Sequence, residues 1–267
     1  MNDIDSAFDN GFAGTTNKLA IKIEPKKEEW NGVYINIHNA RLIKTAIENG
    51  TAPFLPNEEG KIIPKPIYNA NTGFCLSGKD LVPLQIERQK KGLDSNLVVT
   101  SNSISNANTR VKPEEKGMYY NYKNAKDNTY HHSMYFFPEQ TDNPKNIYDT
   151  YQSKVKGFHP LMAGKEEEIM RAEDYMPLYL MACKSGVTLK VSPEVTKDFT
   201  DNFLKIIDNE LVPTKEKNPE VRRMNEFFFN SDVMATKCIK NFDKSVAEAK
   251  NKMKSMERKP QEFTRDL

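Results

Sequence analysis

Two amphipathic helices are predicted in the first hundred residues. Apolar side chains fall on one face over residues 33–48, and Gly50 is placed to end that helix in a left-handed conformation. A second helix is predicted over residues 80–91, with Asp80 as its cap and Gly92 at its end. The two helices are therefore expected to be separate elements.

Short strands are predicted from apolar and aromatic runs. The runs lie at residues 97–99, 118–122 and 130–137. Residues 51–75 contain several prolines and are expected to be extended, and the Ser/Asn-rich stretch 101–109 is expected to be a loop. Together with the two helices, the strands indicate an α+β fold with a small mixed or antiparallel sheet and flanking helices.

The second half of the chain is expected to be mainly helical. Residues 166–184 have helical spacing, although Pro177 must kink or divide the segment, and the three glutamates at 166–168 are interpreted as its solvated start. Ser192, followed by a proline and a glutamate, is a good start for a helix over residues 192–211.

The last predicted helix combines an apolar stripe with basic residues. Ser231 or Asp232 is expected to cap it and Pro260 to end it. Its apolar positions recur at spacings of three and four, at Ile239, Phe242, Val246, Ala249, Met253 and Met256. Residues 237–259 contain eight basic and three acidic residues, a local balance of +5. Three interpretations are open: packing on the domain, a homodimer through residues 239–256, or phosphate contact through the basic face.

These patterns predict four segments. Residues 1–30 are expected to be a mobile leader, and residues 31–160 an α+β domain. Residues 161–230 are expected to be a helical region, and residues 231–267 a basic amphipathic helix with a tail. The division follows the change from strand-like to helical patterning after residue 160.

Composition narrows the class of protein without identifying a ligand. The chain has 267 residues, of which 37% are hydrophobic and 28% charged, and a formal net charge of +2. A balance that small does not by itself indicate nucleic-acid binding. The three cysteines form no CxxC pair, which favours a reducing compartment, and neither a signal peptide nor a run of roughly 18 apolar residues is recognisable. A cytoplasmic location is therefore expected, without a membrane partner.

No motif of catalytic chemistry is recognisable. The four histidines lie outside any HExxH pattern, and neither GxSxG nor a glycine-rich phosphate loop occurs. No enzymatic activity, cofactor or metal is therefore expected. An enzyme with a cryptic site, such as a nuclease, stays an alternative because the members of a catalytic triad need not be close in sequence.

Aromatic residues alternate with cations in the middle of the chain. Tyr119 and Tyr122 lie close in sequence to Lys116 and Lys123. Exposed aromatic rings stack on bases while lysine and arginine contact phosphates, so this composition is typical of a sequence-tolerant single-strand-binding surface. The alternative is that the alternating tyrosines of a strand pack on a core.

Several short elements also occur in a fixed order between about residues 35 and 155. They are residues 48–54 after the first helix, an N-x-x-T-G element at 69–73, Gly78 and Asp80, Thr100, and the turn 110–117 before an aromatic strand. In this order and spacing, the chain resembles the N-terminal domain of ArdC-type anti-restriction proteins. It departs from the family pattern at Phe54, Leu76, Asp80 and Pro113, where the family has tryptophan, tyrosine, asparagine and glycine.

The resemblance implies an α+β domain that binds single-stranded DNA and serves a phage or mobile element against host restriction. The family's zinc-metallopeptidase motif, HExxH, is not found, so no protease or metal role is implied. The residues expected to contact nucleic acid are Lys65, Tyr68, Asn69, Thr72, Lys79, Arg110, Lys112, Lys116, Tyr119 and Tyr122. The aromatic residues would stack on bases, the cations would hold phosphates, and Asn69 and Thr72 would shape the turn that presents them.

The leading hypothesis is a non-enzymatic counter-defence protein, of anti-restriction or anti-CRISPR type, that binds single-stranded nucleic acid through this aromatic and basic surface. The alternative is a protein–protein inhibitor that uses the same domain as a scaffold against a host defence nuclease. The near-neutral total charge favours this alternative somewhat. The expected partner is accordingly single-stranded DNA or a defence nuclease bound to nucleic acid.

Overall fold

The computed structural model describes residues 30–123 and 129–257. The predicted leader and the predicted helix end at Pro260 lie outside these residues. Helices and short strands alternate up to residue 191, and two long helices follow. Within the described ranges, none of the helices combines the length and the apolarity needed to cross a bilayer.

The elements are numbered in chain order. The helices are α1 (Trp30–Glu48), α2 (Gly78–Lys90), α3 (Ser101–Asn106), α4 (Pro144–Tyr151), α5 (Tyr175–Ser185), α6 (Pro193–Leu211) and α7 (Met224–Glu257). The strands are β1 (Lys61–Ile62), β2 (Tyr68–Asn69), β3 (Leu97–Thr100), β4 (Met118–Lys123), β5 (Tyr130–Phe136), β6 (Glu166–Ile169) and β7 (Thr188–Val191).

The strands form two mixed sheets. In the four-stranded sheet the order is β2-β3-β5-β4, with β2 parallel to β3 and the other neighbours antiparallel. In the three-stranded sheet the order is β1-β7-β6, with β1 antiparallel and β6 parallel to β7. The expected α+β class, with flanking helices and a mainly helical C-terminal region, is confirmed, and the second sheet is an addition to the prediction.

The four-stranded sheet is covered on both faces. Val98 and Tyr135 belong to the main core, which also contains residues of α1, α2, α5 and α6. Val99 and Phe136, their neighbours along the strands, belong to a second cluster with residues of α3 and α4. The central strands are therefore buried on both sides, which leaves the hairpin of β4 and β5 as the part of the sheet that reaches the surface.

Phe54 joins the two halves of the chain in the main core. Its ring meets those of Tyr179, Phe199 and Phe203 edge-on, at centroid distances of 6.0, 5.8 and 5.9 Å. The pairing of β1 with β7 also brings the two halves together. The division at residue 160 stays a prediction, and residues from both sides of it share this core.

Helices that have local start and stop signals are confirmed with small shifts of their ends. α1, α2 and α6 cover the predicted segments to within three residues. Ser192 caps α6, because its hydroxyl accepts a hydrogen bond from the Val195 amide at 3.3 Å. Gly50 and Gly92 follow α1 and α2 in the left-handed region, with φ of 67° and 63°.

Two segments differ from the prediction. Residues 166–169 form β6 rather than the start of a helix, since they pair in register with β7, and α5 begins only at Tyr175. Pro177 therefore lies in the first turn of α5, where it breaks no helical hydrogen bond. The stretch 101–109, expected to be a loop, contains α3, and the Thr100 hydroxyl caps it.

Two helix starts depend on carboxylates that are distant in the sequence. At the start of α2, the Gly78 amide donates to Asp232 Oδ2 at 2.7 Å. α7 begins at Met224 rather than at the predicted cap, Ser231 or Asp232, and the Met224 amide donates to Glu210 Oε2 at 3.5 Å. In both places an acid from another helix acts where a local cap residue was expected.

Candidate nucleic-acid interface

The β4–β5 hairpin presents two different aromatic faces. Because side chains alternate along a strand, Tyr120 and Tyr122 lie on one face and Tyr119 lies on the other. The antiparallel register sets Tyr122 opposite His131 and Tyr119 opposite Met134. A base stacked on one face therefore cannot also contact the other, so the two predicted tyrosines do not form one platform.

Four rings form a continuous row on the first face. We call this row the aromatic ladder; its members are Tyr135, Tyr120, Tyr122 and His131. Tyr135 and Tyr120 are stacked with their centroids 3.8 Å apart, Tyr120 and Tyr122 are tilted at 5.9 Å, and Tyr122 and His131 are stacked at 5.7 Å. Exposure rises along the row, from 5% at Tyr135 to 43% at Tyr122. The core therefore holds the inner rings, and the outer rings reach the surface.

The inner tyrosines of the ladder are neutral phenols at neutral pH, as tyrosines ordinarily are, and burial moves their pKa further from neutrality. Burial raises the pKa of Tyr135 and of Tyr120 above the ordinary value, and the nearby Asp80 acts in the same direction. Neutral phenols add no negative charge that would repel a phosphate at neutral pH. The Tyr135 hydroxyl also accepts a long hydrogen bond of 3.4 Å from Asn69 Nδ2, which joins β2 to the base of the ladder.

Lys79 and Asp80 anchor the hairpin to the start of α2. Lys79 Nζ donates to both carboxylate oxygens of Asp80, at 2.9 and 3.1 Å, and to the carbonyl oxygen of Asn121 on β4 at 2.9 Å. Burial raises the pKa of Asp80, and the charge of Lys79 opposes that shift. Asp80 lies inside α2 and does not cap it. Lys79, predicted to hold a phosphate, ties α2 to the edge strand of the sheet.

Asn69 and Thr72 form the turn that follows β2. Asn69 Oδ1 accepts a hydrogen bond from the Asn71 amide at 2.9 Å, and Thr72 Oγ1 accepts one from the Phe74 amide at 3.4 Å. Tyr68, predicted to stack on a base, is 3% exposed and lies in the second core cluster. Burial raises its pKa to about 12. Its ring is therefore a core residue and does not join the surface of the ladder.

Most of the predicted cations lie at the other end of the hairpin. Arg110 and Lys116 are exposed and precede β4, so at least about 13 Å of strand separates them from Tyr122. Lys112 Nζ donates to the carbonyl oxygen of Glu139 at 2.8 Å, which makes it a structural contact. Lys65 lies apart from the ladder, beside α2. Arg110 and Lys116 are thus the predicted cations best placed to meet a phosphate from solvent.

Sequence reasoning missed three of the four ladder residues. Tyr120 stands two positions before Tyr122, and strand alternation alone would have placed these two rings on one face. His131 and Tyr135 needed more information, because only the register of the hairpin sets them beside the tyrosines of β4. That register is a property of the paired strands β4 and β5, and the sequence of either strand alone does not determine it.

Within the described residues, no cluster of side chains offers a metal site, and of the three cysteines Cys238 is exposed while Cys75 and Cys183 are held as neutral thiols. In residues 30–123 and 129–257, no group of three or more His, Cys, Asp or Glu side chains could hold a metal ion. Burial raises the pKa of Cys183 to about 11 and raises that of Cys75 further. Both cysteines therefore remain thiols at neutral pH, as expected for small buried side chains.

Comparisons with known proteins give a distant structural likeness. No family model and no curated protein matches the chain. Among solved structures, the chain is similar to the metal-free crystal structure of antirestriction ArdC protein from the R388 plasmid, with 13% sequence identity, 65% of each chain covered and a TM-score of 0.33. The match thus spans just under two thirds of that protein. A likeness of this size carries no conclusion about fold or function.

Proposed function

We propose that this protein binds single-stranded nucleic acid by stacking bases on the outer rings of the aromatic ladder, Tyr122 and His131. The ladder itself supports this proposal, because Tyr135 is buried, Tyr120 is half-buried against the core, and the exposed ring of Tyr122 packs against Tyr120. A ring that is already fixed loses little conformational freedom when a base stacks on it. Arg110 and Lys116 would contact backbone phosphates of the same strand.

The proposed biological role is counter-defence of the anti-restriction or anti-CRISPR type. This role rests on the sequence resemblance, and binding without catalysis is the activity proposed for it. Expression of the chain in a restriction-proficient strain should raise the efficiency with which unmodified phage DNA infects the cells. Unchanged infection would contradict the role and would leave the binding proposal to its own test.

Replacing Tyr122 with alanine is expected to weaken the binding of a labelled oligothymidylate by roughly 5–150-fold, since stacking one base contributes about 1–3 kcal/mol. Fluorescence anisotropy measures the affinity. Tyr119→Ala is the matched control, because Tyr119 lies on the same strand and is 36% exposed against 43% for Tyr122, but on the opposite face. The control should change affinity by no more than about twofold.

Two results would contradict this interface. Equal losses in Tyr122→Ala and Tyr119→Ala would indicate general damage to the hairpin, and duplex DNA that binds as tightly as the single strand would argue against base stacking. Arg110→Gln tests the phosphate contact, because losing one contact should reduce the slope of log affinity against log salt by about 0.7. An unchanged slope would remove Arg110 from the interface.

Binding of a protein partner through α7 is the second candidate function, and exposed apolar side chains favour it. Phe229 and Val233 lie one turn apart on the same side of α7 and are 67% and 51% exposed. Phe229→Asp should abolish co-purification with a host defence nuclease if this face is the contact, and retained co-purification would exclude it. Deletion of residues 231–267 is a poorer test, since it also removes the Asp232 carboxylate from the start of α2.

A further inference from the structure

A recess beside the C-terminal half of α2 is lined by none of the ladder residues. We call it the α2 cleft; its volume is about 500 Å³, which lies within the range of small-molecule sites. It lies between α2, the turn that follows α2, and the extended segment before β2. The polar side chains used below are Lys65, Arg88, Gln89, Asp94 and Asn96, all of which line it.

Arg88 lines the cleft as a partly buried cation that forms no ion pair with a described carboxylate, although Glu139 and Asp94 are near enough to act on its charge. Its Nη1 donates to the carbonyl oxygens of Pro66 at 3.5 Å and Ser95 at 3.3 Å, and both bonds are long. In the described part of the chain, Nε and Nη2 have no acceptor, and no carboxylate lies within the 4.0 Å of an ion pair. Burial lowers the pKa of Arg88, yet a guanidinium stays protonated at neutral pH. An anion in the cleft would replace the solvation that this cation has lost.

The other charges near Arg88 leave the lining of the cleft positive. Lys65 is exposed and makes no ion pair with the described residues, so it adds a second cation. Asp94 is the acid of the lining, and because it is exposed, water and salt screen it. Glu139 is also near Arg88 but lies outside the lining, where its Oε1 accepts from the Ser95 amide at 2.8 Å and its Oε2 is buried without a partner. The lining of the α2 cleft therefore contains two cations, Lys65 and Arg88, and one acid that solvent screens, Asp94.

We propose that the α2 cleft binds a phosphate monoester, with Arg88 donating from Nε and Nη2 to two phosphate oxygens and Lys65 supplying the second positive charge. The two parallel donors of a guanidinium match two oxygens of one phosphate. A monoester carries close to two negative charges at neutral pH, against one for a diester inside a strand, and two cations suit the former. The side-chain amides of Gln89 and Asn96 add donors and acceptors for an attached nucleoside.

Two sources of this phosphate share the same chemistry. One is a free mononucleotide, and the other is the 5′-phosphate at the end of a nucleic-acid strand. The proposed phosphate site is separate from the proposed stacking site on the ladder, because it uses Lys65 and Arg88 and no ladder residue. Tyr122→Ala should therefore leave it intact, so failure of one proposal does not imply failure of the other.

Isothermal titration of the full chain with thymidine monophosphate tests the site, with thymidine as the probe that lacks the phosphate. Thymidine monophosphate is expected to bind at least about tenfold more tightly than thymidine, because its phosphate adds charge-assisted hydrogen bonds that thymidine cannot make. Arg88→Gln should remove most of that difference, and Lys65→Gln should reduce it by several-fold. Lys90→Gln is the matched control, because Lys90 is exposed on the same helix and does not line the cleft.

A second experiment distinguishes the two sources of the phosphate. It compares the affinities of 5′-phosphorylated and 5′-hydroxyl oligothymidylate for the Tyr122→Ala variant, in which the proposed stacking contact is removed. A preference for the phosphorylated strand that Lys65→Gln reduces would identify the strand end as the source. No preference, together with tight binding of thymidine monophosphate, would identify the free nucleotide. The proposal is overturned if thymidine and thymidine monophosphate give the same result, or if Lys65→Gln, whose exposed side chain is not needed for folding, binds like the unchanged protein.

Discussion

Replacing Glu210 with alanine is expected to lower the free energy of unfolding by about 3–5 kcal/mol. The Glu210 side chain is almost fully buried and accepts hydrogen bonds from Lys217 Nζ at 2.8 Å and from Arg223 Nε and Nη2 at 3.1 and 3.0 Å. The substitution leaves the Lys217 ammonium, whose side chain is 9% exposed, without an acid, and it removes the acceptor at the start of α7. Urea unfolding followed by circular dichroism at pH 7 measures the loss.

Asp201→Ala on the same helix is the matched control for Glu210→Ala. Asp201 pairs with Lys197 at 2.6 Å, but both side chains are exposed. Exposed ion pairs contribute about 0–1 kcal/mol, so this control should change the free energy of unfolding by less than about 1 kcal/mol. If the two variants lose the same stability, the buried cluster around Glu210 does not hold α6 to the start of α7.

The same cluster should make stability depend on acid pH. Burial acts to raise the pKa of Glu210, but the hydrogen bonds from Arg223 and Lys217 outweigh it and hold the pKa below its usual value of 4.5. A carboxyl whose pKa is lowered by folding adds stability above its unfolded pKa, and that contribution is lost as the pH falls through the folded pKa. The stability difference between the unchanged protein and Glu210→Gln should therefore shrink from about pH 5 to about pH 3. A constant difference would contradict the charge argument.

Gly73→Ala is expected to destabilise the fold by about 2–5 kcal/mol, from backbone strain and overpacking together. Gly73 has a φ of 72°, where a side chain is strained, and an added Cβ would lie 1.8 Å from the carbonyl oxygen of Lys154. The Gly73 carbonyl also accepts a hydrogen bond from the Lys156 amide at 2.9 Å, so the two segments cannot separate freely. Thermal or urea unfolding measures the loss.

Gly50→Ala separates the two causes of that loss. Gly50 has a similar φ of 67°, but an added Cβ would meet nothing within 4 Å. Its substitution should cost only the strain of the left-handed conformation, about 1–2 kcal/mol. A Gly73→Ala variant that loses no more than Gly50→Ala would show that the segment at Lys154 moves aside.

Elements that carry their own start and stop signals were predictable from the sequence. Ser192 with the following proline sets the start of α6, and Gly50 and Gly92 set the ends of α1 and α2. These signals act through hydrogen bonds and backbone conformations within a few residues. These helix ends could therefore be predicted from the local sequence alone.

Elements that depend on distant partners were not predictable in the same way. The starts of α2 and α7 each use a carboxylate from another helix, Asp232 and Glu210. The glutamates at 166–168 have poor strand propensity, and they form β6 because β7 offers a parallel edge and Lys190 forms an ion pair with Glu166. Tertiary contacts outweigh local preference at each of these places.

The candidate interface was predictable in composition but not in arrangement. The sequence showed tyrosines and cations close together, and Tyr122 does lie on the ladder. Composition could not show that Tyr119 faces the other side, that Tyr68 is buried, or that Lys79 is bonded to Asn121. Those outcomes follow from strand register and from the packing of α2, which the sequence does not state.

The carboxylate at the start of α2 also sets an order for the maturation of a newly made chain. Asp232 follows Gly78 by 154 positions, so at about 5–20 residues per second the ribosome makes it about 8–30 s later. Until then the Gly78 amide in the first turn of α2 lacks the carboxylate that accepts its hydrogen bond. We therefore expect this hydrogen bond at the start of α2 to form only after translation has passed the beginning of α7.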